Sequence, residues 1–263
     1  MIGLFLGEKK LPLEILKSLK KKKIKYFIID LTKKNKFKND KNSYFINIGK
    51  FGKILELIKL NKCKKVLFAG NIIKPRISKL KLDFKGIYYI PRIVKASKLG
   101  DAAILKELIK ILSENKVQVI RLNTYNPELT LNKGCYTKSK PNIRDKFVIK
   151  KGIQKLNKSN AFNHVQALVI NNEKVVSFEK RKGTKDMLKK IKNNKLKNNI
   201  LLKFPKIKQD LRVDLPTIGL DTLKDCKKAS IKGIVVKAGQ NIFLDKLEAL
   251  KYANKNNIFV LAK

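Results

Sequence analysis

Strand-like and helix-like segments alternate along the first half of the chain, and this alternation constrains the fold more than any other feature. Residues 1–6 form an apolar run typical of a buried strand, and a helical stripe of Leu11, Ile15, Leu16 and Leu19 follows. Further strand-like segments are 26–30, 44–48, 66–68 and 117–122, and helical spacing recurs over 51–58 and 100–116. Such alternation predicts an α/β domain with a Rossmann-like parallel sheet and flanking helices.

The second half of the chain repeats this texture after a polar, turn-prone stretch at 126–142. We interpret that stretch as a linker between an N-terminal domain (1–125) and a distinct C-terminal α/β domain (143–263). Strand-like segments there are 165–171, 175–179, 200–204, 233–237 and 258–261, and helical ones are 185–194, 221–229 and 244–254. Polar residues 171–174 separate two apolar runs, which predicts a hairpin.

The formal net charge of +43 is carried almost entirely by lysine, since only six residues are arginine. The lysines are dispersed among many asparagines and isoleucines, a pattern typical of a genome rich in A and T codons. Dispersed lysine lacks the bidentate geometry of base-reading arginine, so we predict no dedicated nucleic-acid partner. A field of this size still attracts anionic lipid head groups.

Several site classes are excluded by residue counts. His164 is the only histidine, so neither a His-based metal site nor a Ser-His-Asp triad can be assembled. The three cysteines lie far apart and match no zinc or disulfide pattern. No apolar run is long enough to span a bilayer, so we expect a cytoplasmic protein in peripheral contact with the inner membrane.

Charged residues alternate with apolar ones in the stretch 209–215, between Pro205 and Pro216. In an extended backbone, Asp210, Arg212 and Asp214 would share one face. Two carboxylates can bind Mg²⁺, and a guanidinium between them can bind phosphate oxygens. The alternative is a half-exposed strand with ordinary surface ion pairs, and the residues alone do not decide between the two.

Two further segments have features of anion sites. Gly183 and Thr184 precede a helical run as a turn and an N-cap, where backbone amides can bind phosphate, with plain helix capping as the alternative. The loop after the first strand holds Gly7 and Pro12, a second candidate anion contact.

With these residues in view, the whole chain resembles the UDP-2,3-diacylglucosamine pyrophosphatases of the lipid A pathway. The most specific match is the run QDLRVDLPTIG at 209–219, preceded by Pro205 and Lys206. The resemblance implies hydrolysis of a lipid-linked UDP-sugar to UMP and 2,3-diacylglucosamine 1-phosphate, with Mg²⁺ as cofactor and water attacking the sugar-side phosphorus. A homodimer is a separate expectation.

The resemblance also implies roles for individual residues. An essential aspartate is expected at Asp210 or Asp214, which would bind Mg²⁺ or orient water, with Arg212 beside them. The substrate-binding residues that we predict are Gly7, Pro12, Gly183, Thr184, Lys203, Lys206, Gln209 and Thr217.

The chain departs from the family pattern at three lysines. Lys9 replaces the second glycine of a Gly-x-Gly motif, and Lys182 and Lys185 replace both acids of a Glu-Gly-Thr-Asp motif. Two alternatives therefore stand beside the enzyme prediction. One is a catalytically degenerate homologue that binds anionic lipid or nucleic acid, and the other is a hydrolase of a different UDP-sugar.

Overall fold

The computed structural model describes residues 1–72, 80–163, 165–192, 196–207 and 209–263. His164 lies outside the described residues. The chain divides into two compact units, Met1–Asn126 and Pro127–Lys263. The first holds a parallel sheet with helices and the second a mixed sheet with helices, which confirms the predicted α/β class and its two domains.

The first unit is built on a five-stranded parallel sheet. Its strands are β1 (Ile2–Leu6), β2 (Tyr26–Asp30), β3 (Ser43–Phe45), β4 (Lys65–Ala69) and β5 (Gln118–Val119). Its helices are α1 (Leu11–Lys21), α2 (Phe51–Leu60), α3 (Phe84–Ser97) and α4 (Asp101–Glu114). The strand order is β3-β2-β1-β4-β5, so the direction of winding reverses between β1 and β4. Every residue of β1 and β2 is buried, as expected for strands covered on both faces.

Helix α3 was not predicted from the sequence. The carboxylate of Asp83 caps it, accepting a hydrogen bond from Gly86 N at 2.7 Å. The same carboxylate accepts hydrogen bonds from Gly52 N and Lys53 N in the first turn of α2, each at 3.0 Å. One aspartate therefore satisfies the free amides of two helix starts.

The second unit contains a six-stranded mixed sheet and a separate strand pair. Its strands are β6 (Gly134–Cys135), β7 (Ala167–Asn171), β8 (Lys174–Phe178), β9 (Asn199–Lys203), β10 (Thr217–Ile218), β11 (Ile231–Val236), β12 (Ile242–Phe243) and β13 (Phe259–Ala262). Its helices are α5 (Ile143–Asn163), α6 (Gly183–Ile191), α7 (Leu220–Lys228) and α8 (Lys246–Lys255). The sheet order is β6-β13-β11-β9-β7-β8, with β9, β11 and β13 parallel, while β10 pairs with β12. The predicted hairpin is confirmed, because β7 pairs with β8 in antiparallel fashion.

Alternate side chains of the central strands supply two apolar cores. Val169 and Leu201 face a core that includes buried residues of α6, α7 and α8, whereas Leu168 and Leu202 face the core beneath α5. The mixed sheet is thus sandwiched between two helical layers. The stretch 126–142, predicted as a linker, contributes β6, which pairs with β13. Most of that stretch therefore belongs to the second unit.

Candidate functional site

Most of the predicted site residues of the second unit lie near one edge of its sheet. Because β7 runs antiparallel to β9 and pairs Ala167 with Lys203, the start of β7 meets the ends of β9 and β11 at this edge. Asn241 joins the two strand ends: its Nδ2 donates to Lys203 O at 3.0 Å, and its Oδ1 accepts from Lys237 N at 2.9 Å. The carboxyl edge of parallel strands is where α/β sheets commonly bind ligands.

We call the polar residues clustered here the β9 edge. They are Gln166, Glu179, Thr184, Lys203, Lys206, Gln209 and Asp214.

Residues 209–215 do not form the extended strand that their alternation predicted. The carbonyl oxygen of Asp210 accepts hydrogen bonds from Val213 N at 3.2 Å and from Asp214 N at 3.0 Å, which closes a tight turn. Arg212 N also donates to Asp210 Oδ1 at 3.0 Å. The prediction that Asp210, Arg212 and Asp214 share one face of a strand is therefore wrong. The aspartate side chain offers the backbone a local partner that competes with strand pairing.

Within this turn, Asp210 and Arg212 pair with each other. Arg212 Nε lies 2.9 Å from Oδ1 and 3.2 Å from Oδ2 of the carboxylate, and Arg212 Nη2 lies 2.6 Å from Oδ2. The hydrogen bonds to Asp210 raise the pKa of Arg212, outweighing the opposing effect of burial. Bidentate pairing of this kind fixes both side chains. Both oxygens of Asp210 are therefore engaged by the guanidinium.

Asp214 has different surroundings from Asp210. Burial raises the pKa of its carboxyl group above the ordinary value for aspartate. The amide of Gln209 and the positive charges of Lys206 and Lys203 offset part of this effect. A carboxylate that is desolvated and faces cationic side chains is a common arrangement at catalytic sites. Asp214 is therefore the candidate for the reactive carboxylate, since both oxygens of Asp210 are engaged by Arg212.

Lys203 is held at the β9 edge by a chain of short hydrogen bonds. Its Nζ donates to Thr184 Oγ1 at 2.6 Å, and Thr184 Oγ1 donates to Glu179 Oε1 at 2.6 Å. The ammonium nitrogen lies 3.9 Å from the same Glu179 oxygen. Lys203 and Thr184 are buried. The Glu179 carboxylate, at the end of this series of hydrogen bonds, compensates for burying the ammonium group.

This series of hydrogen bonds changes the interpretation of two sequence features. Thr184 is not an N-cap, because Lys182 occupies that position and makes no side-chain capping bond, so that part of the prediction is wrong. Glu179 was not predicted as a site residue. An acid directly after β8 could have indicated it, since the end of β8 lies at the same sheet edge as the end of β9. Gly183, with φ of +84°, begins α6, and a phosphate contact of its backbone stays a prediction.

Gln209 bridges the turn and the sheet. Its Oε1 accepts hydrogen bonds from Gln166 Nε2 at 3.1 Å and from Lys206 N at 2.8 Å. Its Nε2 is buried and makes no well-aligned hydrogen bond to any described residue, although Asp214 is close enough for the amide to lower the carboxyl pKa. Thr217 Oγ1 instead donates to Leu215 O at 3.3 Å. Substrate contacts of Gln209, Lys206 and Thr217 stay predictions.

Gly7 lies in the first unit, where backbone packing accounts for it. Its amide donates to Ala69 O at 2.8 Å, and Glu8 N donates to Asn71 O at 2.8 Å. A Cβ at Gly7 would lie 2.6 Å from Asn71 O, so only glycine fits where the loops after β1 and β4 meet.

Pro12 and Lys9 follow in the same loop. Pro12 is buried at the start of α1, and its ring approaches Gly70, whose φ is +83°. Lys9 has a φ of 79°, a backbone conformation that favours glycine. This agrees with the glycine that is typical at this position in the family that the chain resembles. Substrate contacts of Gly7 and Pro12 stay predictions.

The donor set for a metal ion is small. In the described part of the chain, no group of three or more His, Cys, Asp and Glu side chains is arranged to hold a metal. Mg²⁺ needs only one or two protein carboxylates when substrate phosphates supply further ligands. Asp214 fits that requirement, whereas both oxygens of Asp210 are engaged by Arg212.

Comparisons with known proteins match one family along nearly the whole chain. The family model for the LpxI N-terminal domain matches residues 1–129, and the model for the LpxI C-terminal domain matches residues 132–261. The chain is 29% identical over 224 residues to a protein of Caulobacter vibrioides named UDP-2,3-diacylglucosamine pyrophosphatase LpxI. That alignment covers 82% of this chain and 80% of the relative. Since the two models match successive halves of the sequence, and each half coincides closely with one compact unit, the chain belongs to the LpxI family.

Proposed function

We propose that this chain hydrolyses the diphosphate of UDP-2,3-diacylglucosamine, releasing UMP and 2,3-diacylglucosamine 1-phosphate for lipid A synthesis. Family membership and the name of the Caulobacter relative support the substrate. The observation that carries the proposal is the half-buried Asp214: burial raises the pKa of its carboxyl group, and the amide of Gln209 and the positive charges of Lys206 and Lys203 offset part of that rise. A base for water and cations for phosphate are the groups that diphosphate hydrolysis requires.

In this mechanism Asp214 orients the attacking water and accepts its proton. Lys203 and Lys206 bind the diphosphate and stabilise the charge that develops as the bridging P–O bond breaks. Arg212, fixed by Asp210, provides a further phosphate contact. Glu179 and Thr184 are positioning residues, because they hold the Lys203 ammonium at the strand end. Water adds to the sugar-side phosphorus, and UMP leaves with the bridging oxygen.

We further propose that Asp214 would hold Mg²⁺, with the substrate diphosphate supplying further oxygen ligands. When bound, the ion neutralises phosphate charge and so complements the two lysines. We expect Asp214→Asn to weaken Mg²⁺ binding measured by calorimetry in the presence of a non-hydrolysable substrate analogue. We also propose that the protein makes peripheral contact with the membrane, where it would reach its diacylated substrate. Homodimer formation stays a prediction.

The direct test is UMP release from UDP-2,3-diacylglucosamine by the full chain, run in ¹⁸O-labelled water. The expected result is UMP without label and 2,3-diacylglucosamine 1-phosphate carrying one ¹⁸O. A panel of UDP-sugars without acyl chains tests the alternative of another substrate. The matched control is Glu173→Gln, because Glu173 is exposed in the β7–β8 turn at the opposite end of the sheet. Wild-type protein that releases no UMP from any of these substrates would overturn the proposal.

A further inference from the structure

Helix α3 packs into the first unit through one of its faces. Gly86 and Ala96 are its buried residues, and the Tyr89 ring contacts Phe51 with centroids 5.4 Å apart. Arg92 forms hydrogen bonds with acidic side chains of α4, including Glu107 at 2.6 Å. This face accounts for the attachment of the helix to α2 and α4.

The opposite face of α3 is also apolar, and it is exposed. Phe84, Ile87, Tyr88 and Pro91 are spaced so that they share one face, and we call them the α3 stripe. Phe84 is 93% exposed, Tyr88 71% and Ile87 58%, and Pro91 is also exposed. The solvent face of a surface helix normally carries polar residues. Large side chains exposed together in this way mark an interaction surface.

The surroundings of the α3 stripe indicate the chemistry of its partner. The exposed lysines near it in sequence are Lys81, Lys85, Lys95 and Lys98. The sequence has no acidic residue from Phe84 to Gly100. The partner therefore has to be apolar where it meets the stripe and anionic around it.

An anionic lipid bilayer satisfies both requirements. A second copy of the chain fits poorly, because a symmetric contact would set the same lysines against each other in a protein of formal charge +43. A bilayer offers acyl chains beneath negatively charged head groups, the setting in which amphipathic basic helices bind. We propose that the α3 stripe is the surface by which this protein docks on anionic membranes. The inference rests on the proposed function insofar as the substrate is a diacylated lipid.

The test is flotation of the full chain with phosphatidylcholine vesicles, with and without phosphatidylglycerol. The stripe variant is Phe84→Ser with Ile87→Ser and Tyr88→Ser, and single Phe84→Ser is a milder second variant. The matched control replaces three exposed apolar residues elsewhere, Leu60, Ile143 and Leu247, with serine. We expect the stripe variant to lose at least about tenfold in binding to the anionic vesicles, Phe84→Ser to lose less, and the control to bind like wild type.

UMP release separates this inference from the proposed function. The stripe variant is expected to keep the wild-type rate on detergent-solubilised substrate and to lose rate on vesicle-embedded substrate. Wild-type vesicle binding without UMP release would sink the proposed function and leave the docking surface standing. The docking proposal would be overturned if the stripe variant bound vesicles like wild type. It would also be overturned if the variant changed its oligomeric state and not its vesicle binding.

Discussion

Asp210 and Asp214 are four residues apart and chemically identical, but the turn that contains them gives each a different environment. Asp210 meets a guanidinium with both oxygens, which stabilises its charge. Asp214 is half-buried, and the positive charges of Lys206 and Lys203 offset only part of the rise in the pKa that burial causes. Spacing in the sequence cannot separate the two acids, because burial depends on how the turn closes. From this contrast we propose base chemistry for Asp214 and orientation of Arg212 for Asp210.

Substituting each aspartate by asparagine tests this division. We expect Asp214→Asn to lower kcat for UMP release by about 100-fold or more, since a general base typically contributes that much. Asp210→Asn removes the charge that fixes Arg212, so it should act mainly through KM, by about tenfold. Steady-state kinetics with Glu173→Gln as control measures both. Equal losses of kcat in the two variants would contradict the assignment.

The raised pKa of Asp214 also predicts how stability depends on pH. Because burial favours the protonated form in the folded state, ionisation of this carboxyl destabilises the fold as pH rises through its folded pKa. We therefore expect Asp214→Asn to raise the Tm at neutral pH and to have no such effect at a pH below the ordinary aspartate pKa. Thermal unfolding across that range measures the difference. A Tm gain that persists in acid would show that it has another origin.

Thr184 tests whether Lys203 must be held in place. Thr184→Val removes the hydroxyl that accepts from Lys203 and donates to Glu179, while Thr184→Ser keeps it. We expect the valine variant to lose about tenfold or more in kcat/KM, because removing a short hydrogen bond from a buried ammonium makes its charged form less favourable. The basic limb of the pH–rate profile should move to lower pH in the valine variant alone. A profile that moves equally in the serine variant would contradict the positioning role.

At the scale of elements, hydrophobic periodicity predicted most of the helices and strands. It failed at a helix that is apolar on two faces and at a segment where a side chain closes a turn. Strand β2 has the predicted bounds, and α4 lies within its predicted range. Helix α3 was missed because it is apolar on two faces and contains Pro91, so no single stripe stands out. The stretch 209–215 was predicted as a strand because its alternation is real, yet the Asp210 side chain closes a turn instead. The motif indicated candidate site residues, whose roles stay predictions, and their geometry could not be predicted from it.

Asp83 offers a test of how α2 and α3 are held together. Burial opposes its ionisation, but the backbone amides of Gly86, Gly52 and Lys53 outweigh burial and lower its pKa. Its contribution to stability is therefore present above the unfolded pKa and is lost as pH falls through the folded pKa. We expect Asp83→Ala to cost about 2 kcal/mol, or about 30-fold faster amide exchange in α2 and α3. Asp83→Asn keeps one acceptor and should cost less, and unchanged exchange in both would contradict the double cap.

At the scale of the whole molecule, the most prominent feature is the excess of lysine. The composition shows this excess but does not indicate what the lysines do. Among the described residues, no helix is long and apolar enough to cross a bilayer. The formal charge of +43 acts on distant anions through the solvent, whereas the ammonium group of Lys203 is buried at the β9 edge. Salt distinguishes the two, because it screens exposed charges far more than buried ones.

Raising NaCl from about 0.1 M to about 1 M shortens the screening length from about 10 Å to about 3 Å. We expect binding to phosphatidylglycerol vesicles to weaken by about tenfold or more over that range, since many exposed lysines contribute to it. UMP release from detergent-solubilised substrate should change far less, because the diphosphate contacts proposed at the β9 edge are direct and partly desolvated. Parallel measurement of the two on one protein preparation is the check. If catalysis fell as steeply as vesicle binding, the dispersed lysines would be acting on the diphosphate itself, and Lys203 and Lys206 would not suffice to hold it.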